Sequence, residues 1–316
     1  MTAIAAFPIS VFGFNSDNEI NGFDAPVDRV PTTQHYHFPR RLFASFVNWY
    51  MQPDGSIFLL TGPTGTGKTS FVEQFAARIN VPVYSVKGNE DFRFQDIVGQ
   101  FRFISDSPGM TPNMQYVAKA FLKAKRDGGI LLINEYDYCN PGELAALNDV
   151  INDPIEINEN GTEIVKSHPL FRVVFTGNST GQGDLTGLYH GIQQQNIALL
   201  GRTVGGRASY LPAEEEKGII RATTPGLPEQ ILDCMVDVAN DVRKLFLGET
   251  GNGEKGTLPV TICTRILKAW ALKTVQFASA DKPVYEALED ALLFRCNSEE
   301  REAILKLAEA RFGDLV

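Results

Sequence analysis

The run Gly62-Pro63-Thr64-Gly65-Thr66-Gly67-Lys68-Thr69-Ser70 carries the residue types and spacing of a phosphate cradle, G-x-x-x-x-G-K-[ST]. Binding a triphosphate requires several backbone N–H groups aimed inward on a tight path. Glycines allow that path without Cβ clashes. The Lys68 ammonium and the positive end of the following helix oppose the phosphate charge, and the Thr69 hydroxyl is the expected magnesium ligand. ATP with Mg2+ is therefore the expected ligand pair.

A cradle alone leaves the chemistry open, so other groups must converge on it. The apolar run Gly129-Ile130-Leu131-Leu132-Ile133 ends in Asn134-Glu135. A carboxylate at a strand's carboxyl end can reach a water in line with the γ-phosphate, which makes Glu135 the expected general base. Asn134 can hold a magnesium-bound water without adding charge. A second apolar run, Phe171 to Thr176, leads to Gly177-Asn178, and Asn178 can position the same water. Arg202 follows a helical stretch at 193–200 and precedes the last expected strand. It reads as an arginine finger acting across a subunit boundary, with Arg207 as its competitor. Arg265, near a helix start, can reach back over the nucleotide.

These groups need a scaffold that brings strand ends together. Strands are expected at Ile57–Thr61, Val83–Val86, Ile130–Ile133, Arg172–Thr176 and Ala208–Leu211, alternating with helical patterns, the signature of a parallel sheet with crossover helices. Hairpins are expected at 99–112, turning at Asp106-Ser107-Pro108-Gly109, and at 155–166, turning at Asn158–Gly161. After Pro212 only helical patterns follow, among them the stripe Leu232, Val236, Ala239, Val242 and Phe246, with a Gly-rich break from Gly248 to Gly256. The expected organisation is a lead-in at 1–45, an α/β nucleotide domain at 46–212 and an all-helical lid at 213–316.

The bulk properties narrow the alternatives. At 316 residues with 43% hydrophobic content the chain can bury one large core or two smaller ones. A net charge of −9 argues against chain-wide attraction to nucleic acid or anionic membrane. Cys139, Cys234, Cys263 and Cys296 are scattered and form no C-x-x-C pair, and His35 and His37 lack further ligands, so no metal or disulfide framework is expected. With no long apolar run and no basic leader, a cytoplasmic protein without a membrane span is expected.

Taken together, the phosphate loop, Glu73-Gln74-Phe75-Ala76-Ala77-Arg78-Ile79-Asn80, Asn134-Glu135-Tyr136-Asp137 and the stretch from Asn178 to Gly191 resemble the AAA+ ATPases of the MoxR-like branch, cobaltochelatase small ATPase subunits (CobS) among them. The resemblance implies a P-loop AAA+ core with a helical lid, Asn178 as first sensor, Arg202 as finger and Arg265 as second-sensor arginine. It also implies a homo-oligomeric ring, usually hexameric, that acts on a partner with a von Willebrand factor A domain, a domain this chain is too short to include. Asn134 stands where the family has Asp, and Gly201-Arg202-Thr203 departs from the family's setting. The leading expectation is ATP-driven remodelling of a partner protein, most specifically for metal insertion. The competing readings are a DNA-directed motor, kept open by Arg93 and Arg102, and a slow nucleotide-switched scaffold.

Overall fold

The computed structural model describes residues 3–104, 113–151, 154–158, 162–184, 187–248 and 258–313. The expected turn at 106–109, most of the turn at 158–161, Leu185 and Thr186, and the Gly-rich stretch after Gly248 lie outside them.

From the N-terminus, β1 (Ile4–Pro8) and β2 (Glu19–Phe23) form an antiparallel pair. Next come α1 (Arg40–Met51), β3 (Ile57–Thr61), α2 (Lys68–Arg78), β4 (Val83–Lys87) and α3 (Phe94–Val98). An antiparallel pair, β5 (Gly99–Ile104) with β6 (Asn113–Ala118), precedes α4 (Ala120–Asp127), β7 (Gly129–Asn134), α5 (Pro141–Ala145) and α6 (Leu147–Val150). A shorter antiparallel pair, β8 (Ile155–Ile157) with β9 (Glu163–Val165), leads to β10 (Phe171–Gly177), α7 (Ile197–Leu200) and β11 (Thr203–Arg207).

The five-stranded sheet runs β11-β3-β10-β7-β4, with every neighbouring pair parallel. Side chains alternate across a strand, so continuous Ile, Leu, Val and Phe runs feed two cores at once. Phe58, Leu60, Ile130, Leu132 and Val174 pack one way, with Phe46 of α1 and Phe71 and Phe75 of α2. Ile57, Leu59, Leu131, Ile133, Val173 and Phe175 pack the other way, with Phe121 of α4 and Leu144 of α5. The lead-in supplies Ile9, Phe12, Ile20, Phe23, Phe38 and Phe43 to the first of these cores, and α1 already begins at Arg40.

The last strand departs from the sequence reading. It is Thr203–Arg207, not Ala208–Leu211, because Gly205 and Gly206 act there as spacers rather than as a turn. A Cβ on Gly205 would lie 2.2 Å from the Leu59 carbonyl oxygen, and one on Gly206 would lie 2.4 Å from Leu42 Cδ1. Glycine weakens a strand in general, which hides this one from propensity. Ala208 continues the ladder by one bond, its N–H donating to the Thr61 carbonyl at 2.7 Å.

The chain forms two compact units, residues 1–62 with 67–208 and residues 63–66 with 209–316. The second contains α8 (Ala213–Thr223), α9 (Glu229–Leu247), α10 (Thr264–Gln276), α11 (Pro283–Ala291) and α12 (Ser298–Phe312). Its core joins Leu232, Val236, Ala239 and Val242 of α9 to Trp270, Leu288, Ile304 and Phe312. Asn297 and Glu300 close a reciprocal cap at the start of α12. Within this unit Tyr210 donates to the Thr64 carbonyl at 3.4 Å, and Gly65, at φ 73°, leaves no room for a Cβ beside Cys263. No helix among the described residues is long and apolar enough to cross a membrane.

One polar feature of the helical unit is invisible to periodicity. Arg243 and Glu216 are both buried and form a two-pronged ion pair at 2.7 and 2.8 Å. Thr264 donates to Glu216 at 2.7 Å, Arg243 donates to the Ile262 carbonyl at 2.7 Å, and the guanidinium lies 4.5 Å from the Tyr210 ring centroid. Removing one partner strands the other in a dry site. Glu216→Ala is therefore expected to destabilise this unit by about 3–5 kcal/mol, measured by denaturant unfolding followed through Trp270 fluorescence in a Trp49→Phe background. A loss below about 1 kcal/mol, the range of exposed pairs, would contradict it.

Candidate nucleotide site

The carboxyl ends of β3, β7 and β10 converge where ligands bind in open α/β sheets. β3 runs into the glycine-rich loop, in which Gly62, Gly65 and Gly67 all hold positive φ, at 147°, 73° and 78°. Gly62 also passes so near Ala208 that a Cβ would lie 2.2 Å from its carbonyl oxygen. Gly67 caps α2, whose first-turn N–H groups lack intrahelical acceptors and so can receive an anion. Ser70 lies exposed in that turn. Tyr36, from the lead-in, donates to the Gly67 carbonyl at 3.3 Å and braces the cap.

Lys68 lies over the loop, donating to the Gly62 carbonyl at 2.7 Å and to Asn178 Oδ1 at 3.0 Å. The structure thus brings Lys68 and Asn178 together from positions 110 residues apart. Thr69 donates to Asn134 Oδ1 at 2.8 Å, and Thr176 donates to the same oxygen at 3.0 Å. Asn134 Nδ2 in turn donates to Ser85 Oγ at 2.8 Å. The two strands flanking β7, β4 and β10, and α2 therefore fix the amide's orientation. The donor set fits a triphosphate with a hard divalent cation: backbone N–H groups and an ammonium for the phosphates, and the Thr69 and Asn134 oxygens for the metal shell. Among the described residues no cluster of three or more His, Cys, Asp or Glu is placed to hold a metal by itself. The four cysteines are unbridged.

Glu135 follows Asn134 in the left-handed region, φ 57° and ψ 43°, which turns the chain sharply out of β7. Residues held there in strained backbone cluster at functional sites. Its carboxylate is about half exposed and lies 3.5 Å from the Lys87 ammonium. Gly88 permits the turn, since a Cβ there would lie 2.4 Å from the Glu135 carbonyl oxygen.

Sequence reasoning gave no role to Asp137, which is fully buried. Its Oδ2 accepts the backbone N–H groups of Asn178 and Ser179, each at 2.8 Å, while its Oδ1 has no hydrogen-bond partner among the described residues. Asp137 is a positioning residue: it fixes the backbone from which Asn178 reaches Lys68. The signal was available as a carboxylate set between two tyrosines, Tyr136-Asp137-Tyr138, where a charge is costly unless structure requires it. Ser85, Thr176 and Lys87 were missed as well, because only register, Lys87 and Thr176 both opposite Asn134, brings them to the site.

The two candidate fingers occupy opposite ends of β11. Arg207 lies at the carboxyl end, opposite Thr61 and beside its own phosphate loop. Arg202 precedes the amino end, its carbonyl accepting the Ile57 N–H at 2.9 Å and its side chain donating to the Asn148 carbonyl. Arg265 is the second residue of α10 and is exposed.

A profile of the AAA domain, dynein-related subfamily, matches residues 57–190, and one of the CbbQ/NirQ/NorQ C-terminal region matches residues 216–311. The aerobic cobaltochelatase subunit CobS of Sinorhizobium sp. is 26% identical over 311 residues, covering 96% of this chain and 89% of CobS. The chain is thus similar to the MoxR-like AAA+ ATPases. The denitrification regulatory protein NirQ of Pseudomonas aeruginosa is 28% identical over 188 residues, 59% of this chain and 67% of NirQ. Among solved structures, a RuvB variant of Thermotoga maritima aligns with a TM-score of 0.48 at 15% identity, over 83% of this chain and 70% of that one. The sheet ends and phosphate loop form the candidate nucleotide-binding site.

Burial pushes the Lys68 ammonium down from its usual 10.5 to about 8, with the Asp137 and Glu135 carboxylates drawing it partly back up. Below that pH the free protein presents a charged Lys68, and above it an increasingly neutral one that must regain its proton to meet phosphate. ATP affinity is therefore expected to stay level up to about pH 8 and then to fall by up to roughly tenfold per pH unit. Stability of the nucleotide-free protein runs the other way. The unfolded chain keeps this proton up to its usual 10.5, so stability rises with pH between the two values. Asp137→Asn removes a charge that supports the ammonium and should move the break in affinity to lower pH, read by calorimetric titration across pH. An unmoved break would show that Asp137 does not act on Lys68.

Proposed function

We propose that this AAA+ protein hydrolyses ATP with Mg2+ in a cytoplasmic homo-oligomeric ring, of which a hexamer is the expected form, and uses the cycle to remodel a partner protein. The observation that carries the reading is the placement of Arg202. It lies at the amino end of β11, while the phosphate loop leaves the carboxyl end of the adjacent β3. Five residues of strand separate the two by about 16 Å. That separation supports a role for Arg202 at a neighbouring subunit's nucleotide, whereas Arg207 is opposite Thr61, next to its own loop.

In this reading Lys68 opposes charge on the phosphate oxygens, and Asn178, oriented by Asp137, holds the attacking water. Glu135 takes the water's proton as the new bond to the γ-phosphorus forms and the bridging oxygen leaves with ADP. Thr69 and Asn134 would hold the magnesium shell, and a bound cation there would supply charge neutralisation for the phosphate oxygens. Arg265 is assigned as the second sensor. The relation to CobS makes a partner bearing a von Willebrand factor A domain the first candidate, and metal insertion the most specific version. The neutral Asn134 favours a second reading, a slowly hydrolysing nucleotide switch.

Glu135→Gln is expected to retain ATP affinity and to lose turnover by about 10²–10⁴-fold, since a base acts in the transition state. Equal loss of both would make Glu135 structural. Arg202→Ala should also lose turnover. Mixing it with Glu135→Gln should restore part of the activity, because some interfaces then pair an intact Glu135 with an intact Arg202. If Arg202→Ala remains fully active while Arg207→Ala is inactive, the finger is Arg207.

A further inference from the structure

The free edge of the sheet carries a site that the nucleotide chemistry does not use. β4 is the outer strand beyond β7. The Ile130 N–H donates to the Pro82 carbonyl at 2.9 Å and the Gly88 N–H to the Asn134 carbonyl at 2.6 Å, so even-numbered residues turn inward to β7. Odd-numbered residues turn outward, as the Val83 N–H shows by donating to the Arg29 carbonyl at 3.0 Å. Past that single bond, the backbone N–H and C=O groups of Ser85 and Lys87 point to the open edge with no partner among the described residues.

A cleft of about 550 Å³ follows this edge, lined by residues 84–87 of β4. Six cationic side chains border it, Arg29, Lys87, Arg93, Arg102, Lys119 and Lys123, against the carboxylates of Asp91 and Asp96. In a chain of net charge −9 this is a local reversal of sign. Lys87 and Arg93 have carboxylate partners in Glu135 and Glu143, but Arg102 and Lys123 form no ion pair among the described residues. Val86, Phe92 and Ile97 supply apolar surface between the charges.

We propose that this edge docks an acidic, extended segment of a partner protein, which adds to the sheet as a further strand beside β4. Two observations select that occupant. The cations call for negative charge, and the edge alternates donors with acceptors, which a peptide backbone can match and a phosphodiester backbone cannot, since phosphates supply acceptors only. The inference names a docking chemistry for the partner-remodelling reading and rests on it.

The test titrates the nucleotide-free protein with a short peptide alternating Glu and Val, so its outcome is separable from any ATPase result. Binding is expected, with slowed amide exchange at Ser85 and Lys87. N-methylating alternate peptide nitrogens, which keeps charge and removes strand donors, should weaken binding roughly tenfold or more. The double variant Arg102→Glu with Lys123→Glu should weaken it similarly while keeping the circular dichroism spectrum and thermal unfolding midpoint of the parent, which shows that the protein is folded. Absence of binding, equal binding of the N-methylated peptide, unchanged exchange at Ser85 and Lys87, or tighter binding of a single-stranded oligonucleotide would each overturn the proposal.

Discussion

The nucleotide site depends on keeping one ammonium charged in a place that strips its water. Lys68 lies over the loop, and burial lowers its proton affinity to about 8. The Gly62 carbonyl and the Asn178 amide replace part of the lost hydration, and Asp137 and Glu135 supply the nearby negative charge. Those groups arrive from three strand ends, of β3, β7 and β10, so the parallel register of the sheet is in effect the condition for a usable cation. A phosphate in the loop restores what burial removed, which couples proton uptake to nucleotide binding.

The two units solve the problem of buried charge differently. In the helical unit, Arg243 and Glu216 neutralise each other and are completed by Thr264 and the Ile262 carbonyl. The pair is self-contained and so structural. In the sheet unit the Asp137 carboxylate keeps one oxygen without a hydrogen-bond partner among the described residues, and its other oxygen holds main-chain N–H groups. Its negative charge is left to act on Lys68.

Much of the site could be read from residue order because phosphate binding is local: one turn, one helix start and one lysine make most of it. The strand cores were legible for a related reason. Runs such as Ile130–Ile133 are apolar at every position and have no alternative but burial on both faces. What escaped depends on register. Ser85 and Thr176 meet Asn134 only once β4, β7 and β10 are aligned, and nothing near either residue in sequence announces a polar role. β11 escaped because its glycines are there for what they lack, and propensity counts them against a strand. The β1–β2 pair was equally silent, since Ile4–Pro8 is short and only half-buried.

The glycine pair in β11 has a consequence for how tolerance to substitution would be distributed along the chain. At Gly205 the neighbouring backbone oxygen leaves no space even for a methyl group, so any other residue pushes the edge strand away from β3. Such a shift would carry Arg202 and Arg207 with it, at the two ends of the strand. A saturation survey scored on activity would therefore mark position 205 as being as unforgiving as the phosphate loop, although it contributes no side chain to the chemistry. At this position sequence information is stored as an excluded volume, and a search for function that looks only for reactive groups would pass over it.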